Sequence, residues 1–322
     1  MEHPSTPIGP GTWWIAPTPF DDTGRVDAAS LTAAVRAAVD WGVDGVTVLG
    51  VMGEVASLDD AERADVLAAT ASATAGRVPF AVGCSAPSPV LVARRAEQAR
   101  AAGASAAMVA APPLVRDTDA VLAFFAAVGA DRPLPLLVQD EPVATGVTLP
   151  VTVLLQVLDA CSSRMVKLED APTPPKISKL LARDPGLVVF GGLGGVSAYS
   201  ELLRGASGTM TGFAYPEALK EVRLALAAGD RDRAAAVFDA FLPLIAFEGQ
   251  VGVGLPIRKE VLRRRGALGT GRVRGTVPGP GIDAATAAEL DDVLARVGLV
   301  PSRERLDVDA LLSSRKTTGV SA

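Results

Sequence analysis

A chain of 322 residues that is 49% hydrophobic but only 4% aromatic builds its core from Ala, Val and Leu, and has the length of one large α/β domain or two ordinary ones. Its formal net charge of −5, with acidic and basic residues interspersed, argues against nucleic acid or an anionic membrane as a partner. Cys84 and Cys161 lack the paired spacing of a metal or redox motif and fit a reducing cytoplasm. The one histidine, His3, stands in a polar, Pro-rich N-terminus, which argues against a Ser-His-Asp triad, a Cys-His pair and a His-ligated metal. That N-terminus does not read as a signal peptide, and no run is apolar for long enough to span a bilayer. Acid-base chemistry falls to Lys, Asp, Glu, Tyr or water.

In chain order, short apolar runs alternate with amphipathic, Ala-rich stretches. "TWWIAP" (12–17) precedes a helical pattern over 27–41, "VDGVTVLG" (43–50) one over 59–75, and "VPFAVGCS" (78–85) one over 88–102. "ASAAMVAAP" (104–112) leads to 117–130, "LPLLVQDE" (134–141) to 149–160, "RMVKLED" (164–170) to 173–183, and "GLVVFGG" (186–192) to 197–204. "GASGTMTGF" (205–213) is the eighth strand. Several helical patterns open on Asp, Ser or Thr, as N-caps do. Strands apolar on both faces, each followed by a helix, predict a parallel sheet, and eight such units predict an α/β fold closed as a (β/α)8 TIM barrel. A doubly wound open sheet is the alternative, but the first β-α turn has no G-x-G-x-x-G. Helical stretches at 216–228, 230–247, 255–265 and 283–297 exceed what one closing helix needs and predict a C-terminal helical appendage, with 268–283 as a loop. The resulting layout is a flexible tail over 1–10, a barrel over 11–228, a helical region over 229–301 and a disordered tail over 302–322.

Lys167 interrupts the sixth strand. Side chains alternate along a strand, so Lys167 and Glu169 share one face while Val166 and Leu168 share the other. If that face is the barrel interior, the amine lies in a low-dielectric mouth beside a carboxylate, where burial disfavours the ammonium and an imine with a carbonyl becomes accessible. The same position would suit a lysine that reaches out of the strand end to pair with Glu169 or Asp170. Three more segments fall at strand ends. In 49–63, Gly50 and Gly53 permit a tight turn whose amides form an anion cradle, followed by Glu54; the alternative is an ordinary β-α turn. In 190–200 a Gly-rich loop without Lys or Arg follows strand seven, where barrels often hold phosphate. In 138–146, Gln139, Asp140 and Glu141 put polar groups at the mouth, as catalytic groups or as a solvated loop.

Together "APTPF" with "GRVD", "GVDGVTVLGVMGE" with "SLDDAER", the strand-six lysine and "LPIRKEVLRRRGAL" resemble, over about 11–298, the dihydrodipicolinate synthase and N-acetylneuraminate lyase family of class I Schiff-base barrels. The resemblance implies that Lys167 forms an imine with a pyruvate-type 2-oxo acid, without a metal or organic cofactor. It further implies that Gly50, Val51, Met52, Gly53 and Glu54 hold the carboxylate, that Gly192, Met210 and Thr211 line the pocket, and that the chain forms a homodimer or homotetramer. The departures are specific. The two cradle threonines of the family are Val51 and Met52, the proton-relaying tyrosine falls at Gln139, and the "PYY" stretch reads Pro112, Pro113, Leu114. The arginine before "TG" is Ala144, while Thr145 and Gly146 remain.

A lyase that cleaves, condenses or dehydrates a 2-oxo acid is therefore expected, with Asp140, Glu169, a water or a substrate carboxylate moving protons in place of a tyrosine, and lysine biosynthesis is not its expected role. Two other readings stay open: a non-catalytic barrel binding an oxo acid or sugar acid as sensor or scaffold, and a phosphosugar enzyme using the 191–195 loop. Met52, Leu114 and Val115 predict a substrate with an apolar or aromatic portion.

Overall fold

The computed structural model describes residues 8–113, 115–275 and 279–317. His3 and Leu114 lie outside the described residues. Eight parallel strands close into a barrel in sequence order: β1 (Gly11–Ile15), β2 (Gly45–Val48), β3 (Phe80–Gly83), β4 (Ala106–Ala110), β5 (Leu136–Asp140), β6 (Met165–Leu168), β7 (Val188–Gly191) and β8 (Gly208–Thr211), with β8 paired to β1. Between them run α1 (Ala28–Asp40), α2 (Asp60–Thr74), α3 (Pro89–Ala101), α4 (Thr118–Ala130), the single turn α5 (Pro142–Thr145), α6 (Val151–Ala160), α7 (Thr173–Arg183) and α8 (Ala198–Leu203). The chain is a TIM barrel, followed by α9 (Pro216–Ala227), α10 (Arg231–Glu248), α11 (Gly254–Arg264), α12 (Ala284–Val297) and α13 (Val308–Thr317).

The helix starts follow from local chemistry. Asp27, Ser88, Asp117, Asp230 and Asp283 each accept a backbone N–H of the first turn, and Asp59 with Glu62 completes a reciprocal capping box. Such a cap stabilises by about 0.5–2 kcal/mol and sets where the helix begins.

Strand alternation sorts the side chains into two cores. Outward-facing Trp14, Val46, Val48, Val82, Val109, Val138, Val166, Leu168 and Val189 pack under the helices. Inward-facing Trp13, Ile15, Ala81, Ala106, Met108, Leu137, Phe190 and Met210 fill the barrel. Trp13 and Phe190 meet edge to face at 6.0 Å between ring centres, and Gly45 leaves room for the indole. Two rings against alanines give the barrel a solid floor and leave space only toward the C-terminal ends of the strands.

The C-terminus differs from expectation. Instead of a disordered tail from 302, residues 308–317 are helical, and Val308 and Leu311 are buried in the outer core. The reason lies far away in sequence. Arg265 is sandwiched between the rings of Trp41 and Tyr215, pairs with Glu217 at 2.7 Å, and donates to the carbonyls of Ser302 and Glu304. Trp41 Nε1 donates to Arg303 O at 2.8 Å, and Leu306 N–H donates to Glu217 at 3.1 Å. A polar segment is thus held by fixed partners that its own composition does not reveal. At the other end Ile8 is buried and Trp13 Nε1 donates to Gly9 O, so the described part of the segment expected to be a flexible tail is packed on the barrel.

Barrel closure depends on Gly208, where a Cβ would lie 1.8 Å from the carbonyl oxygen of Gly11 on β1. Backbone cannot give way as a side-chain tip can. Gly208→Ala is expected to lower stability by at least about 1–3 kcal/mol, measured by thermal or urea unfolding. Gly9→Ala, where nothing lies within 4 Å of the added carbon, is expected to leave the midpoint unchanged.

Candidate active site

Lys167 sits in β6 with Gln139 of β5 and Phe190 of β7 as its register neighbours. Its side chain lies on the barrel interior and is 4% exposed. Its Nζ is 2.8 Å from Glu169 Oε2, and Gln139 Nε2 donates to that same oxygen at 2.8 Å. Gln139 of β5 and Lys167 of β6 therefore converge on the carboxylate of Glu169, the residue just past β6. Gly192 makes this possible, because a Cβ there would fall 2.4 Å from Glu169 Cγ. The third inward position of the 164–170 run is thus turned onto the lysine by a glycine on the next strand's loop.

These groups open into a pocket of about 430 Å³. Ile15, Met52, Met108 and Met210 form apolar walls. Gly50, Val51, Thr211 and the 193–194 backbone contribute to the rim, and Glu141, Arg258, Gly249 and Val251 complete it. Val51–Gly53 forms a single 3₁₀ turn closed by Gly53 N–H to Gly50 O and Glu54 N–H to Val51 O, bonds that leave the N–H groups of Val51 and Met52 outside the turn's own ladder. Leu49, Glu54 and Leu193, which flank this pocket, hold φ angles of 58°, 51° and 47°. Non-glycine residues in the left-handed region cost about 1–3 kcal/mol each and persist where surrounding packing enforces them.

Other expected residues go elsewhere. Asp140 points to the outer layer, where Lys176 Nζ donates to it at 2.6 Å, to Asp170 at 2.7 Å and to the carbonyl of Leu149. Burial pushes the Asp140 carboxyl up to about 6 against the pull of Lys176. It stands on the opposite face of β5 from Gln139, so proton transfer in the pocket cannot use it. Glu54 also turns away. It pairs with the fully buried Lys259 of α11 and accepts the backbone N–H groups of Arg274 and Gly275 at 2.6 and 2.8 Å, clamping the 268–275 loop. Gly53 is buried against Thr18, whose hydroxyl donates to its carbonyl at 2.7 Å. The hydroxyl of Thr145 donates to Glu141 O at 2.8 Å and shapes α5. Val115 does not line the pocket.

Two ionisable groups near the site were not singled out from the sequence. Arg258 of α11 reaches the rim from the C-terminal appendage, hidden in the sequence among Lys259, Arg263, Arg264 and Arg265. Glu201 of α8 lies behind Gly191, where a Cβ would be 1.8 Å from its Oε2. Thr173 donates to its Oε1, whereas Oε2 is buried with no partner among the described residues. No local motif marks either one.

A lysine inside a (β/α)8 barrel mouth, held against a carboxylate with an anion-suited turn nearby, is an arrangement suited to the class I, imine-forming lyases. The chain belongs to the dihydrodipicolinate synthetase family, whose model matches residues 12–274. It is 33% identical to the L-2-keto-3-deoxyarabonate dehydratase of Azospirillum brasilense over 92% of this chain and 97% of that one. It is 32% identical to the 4-hydroxy-tetrahydrodipicolinate synthase of Xanthomonas axonopodis pv. citri over 79% and 84%. Among solved structures, dihydrodipicolinate synthase from Rhodopseudomonas palustris superposes with a TM-score of 0.84 at 36% identity, covering 91% of this chain and 100% of that one. Its relatives make this chain a lyase of the Schiff-base, pyruvate type. No helix among the described residues is long and apolar enough to cross a membrane.

Glu201 supplies a test of the electrostatics beside the site. Burial, reinforced by the nearby charge of Glu169, pushes its carboxyl from 4.5 up to about 7. A raised folded-state value means the contribution to stability is complete below the unfolded value and is lost as pH rises through about 7. Glu201→Gln removes that titration. The unfolding free energy of the variant, relative to the unsubstituted protein, is expected to rise between about pH 4.5 and 7.5 by an amount on the order of 1–3 kcal/mol. A difference independent of pH would show that the carboxyl is solvated.

Proposed function

We propose that the protein is a cofactor-free dehydratase of a 2-keto-3-deoxy sugar acid, or a close relative of that reaction, working through an imine at Lys167. The observation that carries this is the buried Lys167–Glu169–Gln139 cluster opening into the pocket. Support for dehydration over dihydrodipicolinate synthesis comes from Ala144 and Gln139, which stand where the resemblance places the arginine and tyrosine of the synthases. The similarity to a keto-deoxy-sugar-acid dehydratase over nearly the whole of both chains points the same way.

Glu169 takes a proton from the Lys167 ammonium, and the free amine adds to the keto carbon of the substrate. Glu169 returns that proton to the carbinolamine hydroxyl, which leaves as water to give the protonated imine, and the iminium draws electrons from the adjacent C3–H bond. A pocket carboxylate removes the C3 proton, and the electron pair expels the C4 hydroxyl, which leaves as water once protonated. Glu169 is the base in this scheme, with Glu141 as the second acid; burial raises the Glu141 carboxyl above its ordinary value, which suits proton donation. Hydrolysis of the imine then frees the product and restores Lys167. Gln139 cannot relay a proton as a phenol does; its role is to orient Glu169 by donating an N–H. The carboxylate of the substrate lies at the 51–53 turn, and Met210 and Thr211 flank the imine.

Borohydride reduction in the presence of pyruvate and of 2-keto-3-deoxy sugar acids, followed by intact mass and peptide mapping, is the direct test. An adduct on the peptide holding Lys167 is expected. Lys167→Ala should abolish it and lower turnover by on the order of 10³-fold or more. Glu169→Gln should retain slow trapping and lower turnover by about 10²–10⁴-fold. A folded protein that binds these acids reversibly, with neither adduct nor turnover, would instead be the oxo-acid sensor.

A further inference from the structure

We infer that Arg258 sets substrate class, its guanidinium binding an oxygen of the 2-oxo acid remote from the imine, so that the pocket selects oxygenated acids over alkyl or aryl ones. This rests on the Lys167 reading and adds to it. It also replaces the apolar substrate expected from Met52, Leu114 and Val115.

Arg258 is the fifth residue of α11, and its flanking Ile257 and Val261 are fully buried, which fixes the helix against the barrel. The residue is 8% exposed and lines the same pocket as Lys167 and Glu169. A guanidinium carries five N–H donors and cannot shed its charge, so its donors need acceptors when buried. Those present are poor. Nη1 faces Met52 Sδ at 2.8 Å, and a thioether is a weak acceptor. Nε lies 3.3 Å from Glu248 Oε2 but makes no hydrogen bond to any described residue. Nη2 lies against Gly194, where a Cβ would come within 2.6 Å of it. Gly194, at φ +69°, serves to let the guanidinium reach the rim.

Glu248 faces the Nε edge of this cation at 3.3 Å. Its Oε2 also accepts Ala214 N–H at 3.2 Å, its Oε1 has no partner among the described residues, and burial pushes its carboxyl up to about 7 against the pull of Arg258. A substrate oxygen that displaces the Met52 sulfur would give Arg258 the acceptor it lacks. With the substrate carboxylate held by the backbone amides of the 51–53 turn, the oxygen left for Arg258 is one beyond the imine carbon. The partners of Arg258 are the Met52 tip and Gly194, on the side of the pocket formed with Gly249 and Val251, whereas the imine forms at the end of β6 beside Phe190 and Gln139. A hydroxyl and a terminal carboxylate share the required acceptor chemistry; the carboxylate can take both N–H groups of the fork.

The test uses the full-length protein and pairs of 2-oxo acids of equal chain length. One member carries a distal hydroxyl or a terminal carboxylate, and the other ends in an alkyl chain. Borohydride-trapped adduct is measured for each and normalised to pyruvate, which has nothing beyond its methyl group to reach Arg258. The unsubstituted protein should favour the oxygenated member by about 10–100-fold, because the alkyl acid leaves a buried donor unpaired. Arg258→Met should bring the pair close to parity, and Arg258→Lys, which keeps the charge without the fork, should fall between. Equal trapping of both members by the unsubstituted protein, or a preference that survives in Arg258→Met, overturns the assignment. If Arg258→Met does not fold, Arg258→Lys and the unsubstituted panel decide. The hydroxyl and carboxylate members distinguish the two acceptors. Absence of any pyruvate adduct would instead remove the Schiff-base reading itself.

Discussion

The contact on which the site depends is the ion pair between Lys167 and Glu169, both nearly cut off from water, with Gln139 donating to the same carboxylate oxygen. Taking either charge out of water alone would cost several kcal/mol, and breaking a buried pair by removing one partner costs about 3–5 kcal/mol. The surroundings are arranged to keep the pair intact. Trp13 and Phe190 close the barrel beneath it, and Gly192 lets the Glu169 side chain fold back over β7. The pair also holds what imine formation requires, an amine and a proton acceptor in contact before any substrate arrives.

Ionised side chains elsewhere act as fasteners. Lys176 ties Asp140, Asp170 and the carbonyl of Leu149 on the outer face of the barrel. Lys259 and two backbone amides gather on Glu54, and Arg265 joins Trp41, Tyr215, Glu217 and the 302–304 carbonyls. Each fastens a loop or the C-terminal helices to the barrel. This division explains why carboxylates at the ends of neighbouring strands have different roles. Asp140 and Glu169 both end strands, but one faces the helices and the other the lumen, and only a group facing the lumen can reach the Lys167 amine.

The family relationship and the departures from it are reconciled by the same geometry. Val51 and Met52, where the resemblance places threonines, bring no hydroxyls to the cradle but keep its backbone turn, and the Met52 side chain lies over Gly212, whose hydrogen leaves it room. Gln139, where the resemblance places a tyrosine, aims a donor at Glu169. The pocket also holds the carboxylates Glu141 and Glu169 and a cation from a helix outside the barrel.

Period-two alternation, capping residues and eight apolar runs are enough to read the barrel, its helix boundaries within a residue or two at most ends, and the sharing of one strand face by Lys167 and Glu169, which the closed barrel turns inward. These are local properties, decided by side-chain spacing and by hydrogen bonds spanning a few residues. Three features depended on tertiary structure. Asp140 reads as a mouth residue because strand ends look alike in sequence, and its partner Lys176 lies 36 residues away in the chain. Arg258 could not be told from the other cations of its helix, since only the docking of α11 decides which side chain reaches the pocket. The 302–317 segment is polar enough to read as a tail, and Arg265 and Trp41 are what order it. Burial of charge depends on partners distant in sequence, and no periodicity in the chain records where those partners will be.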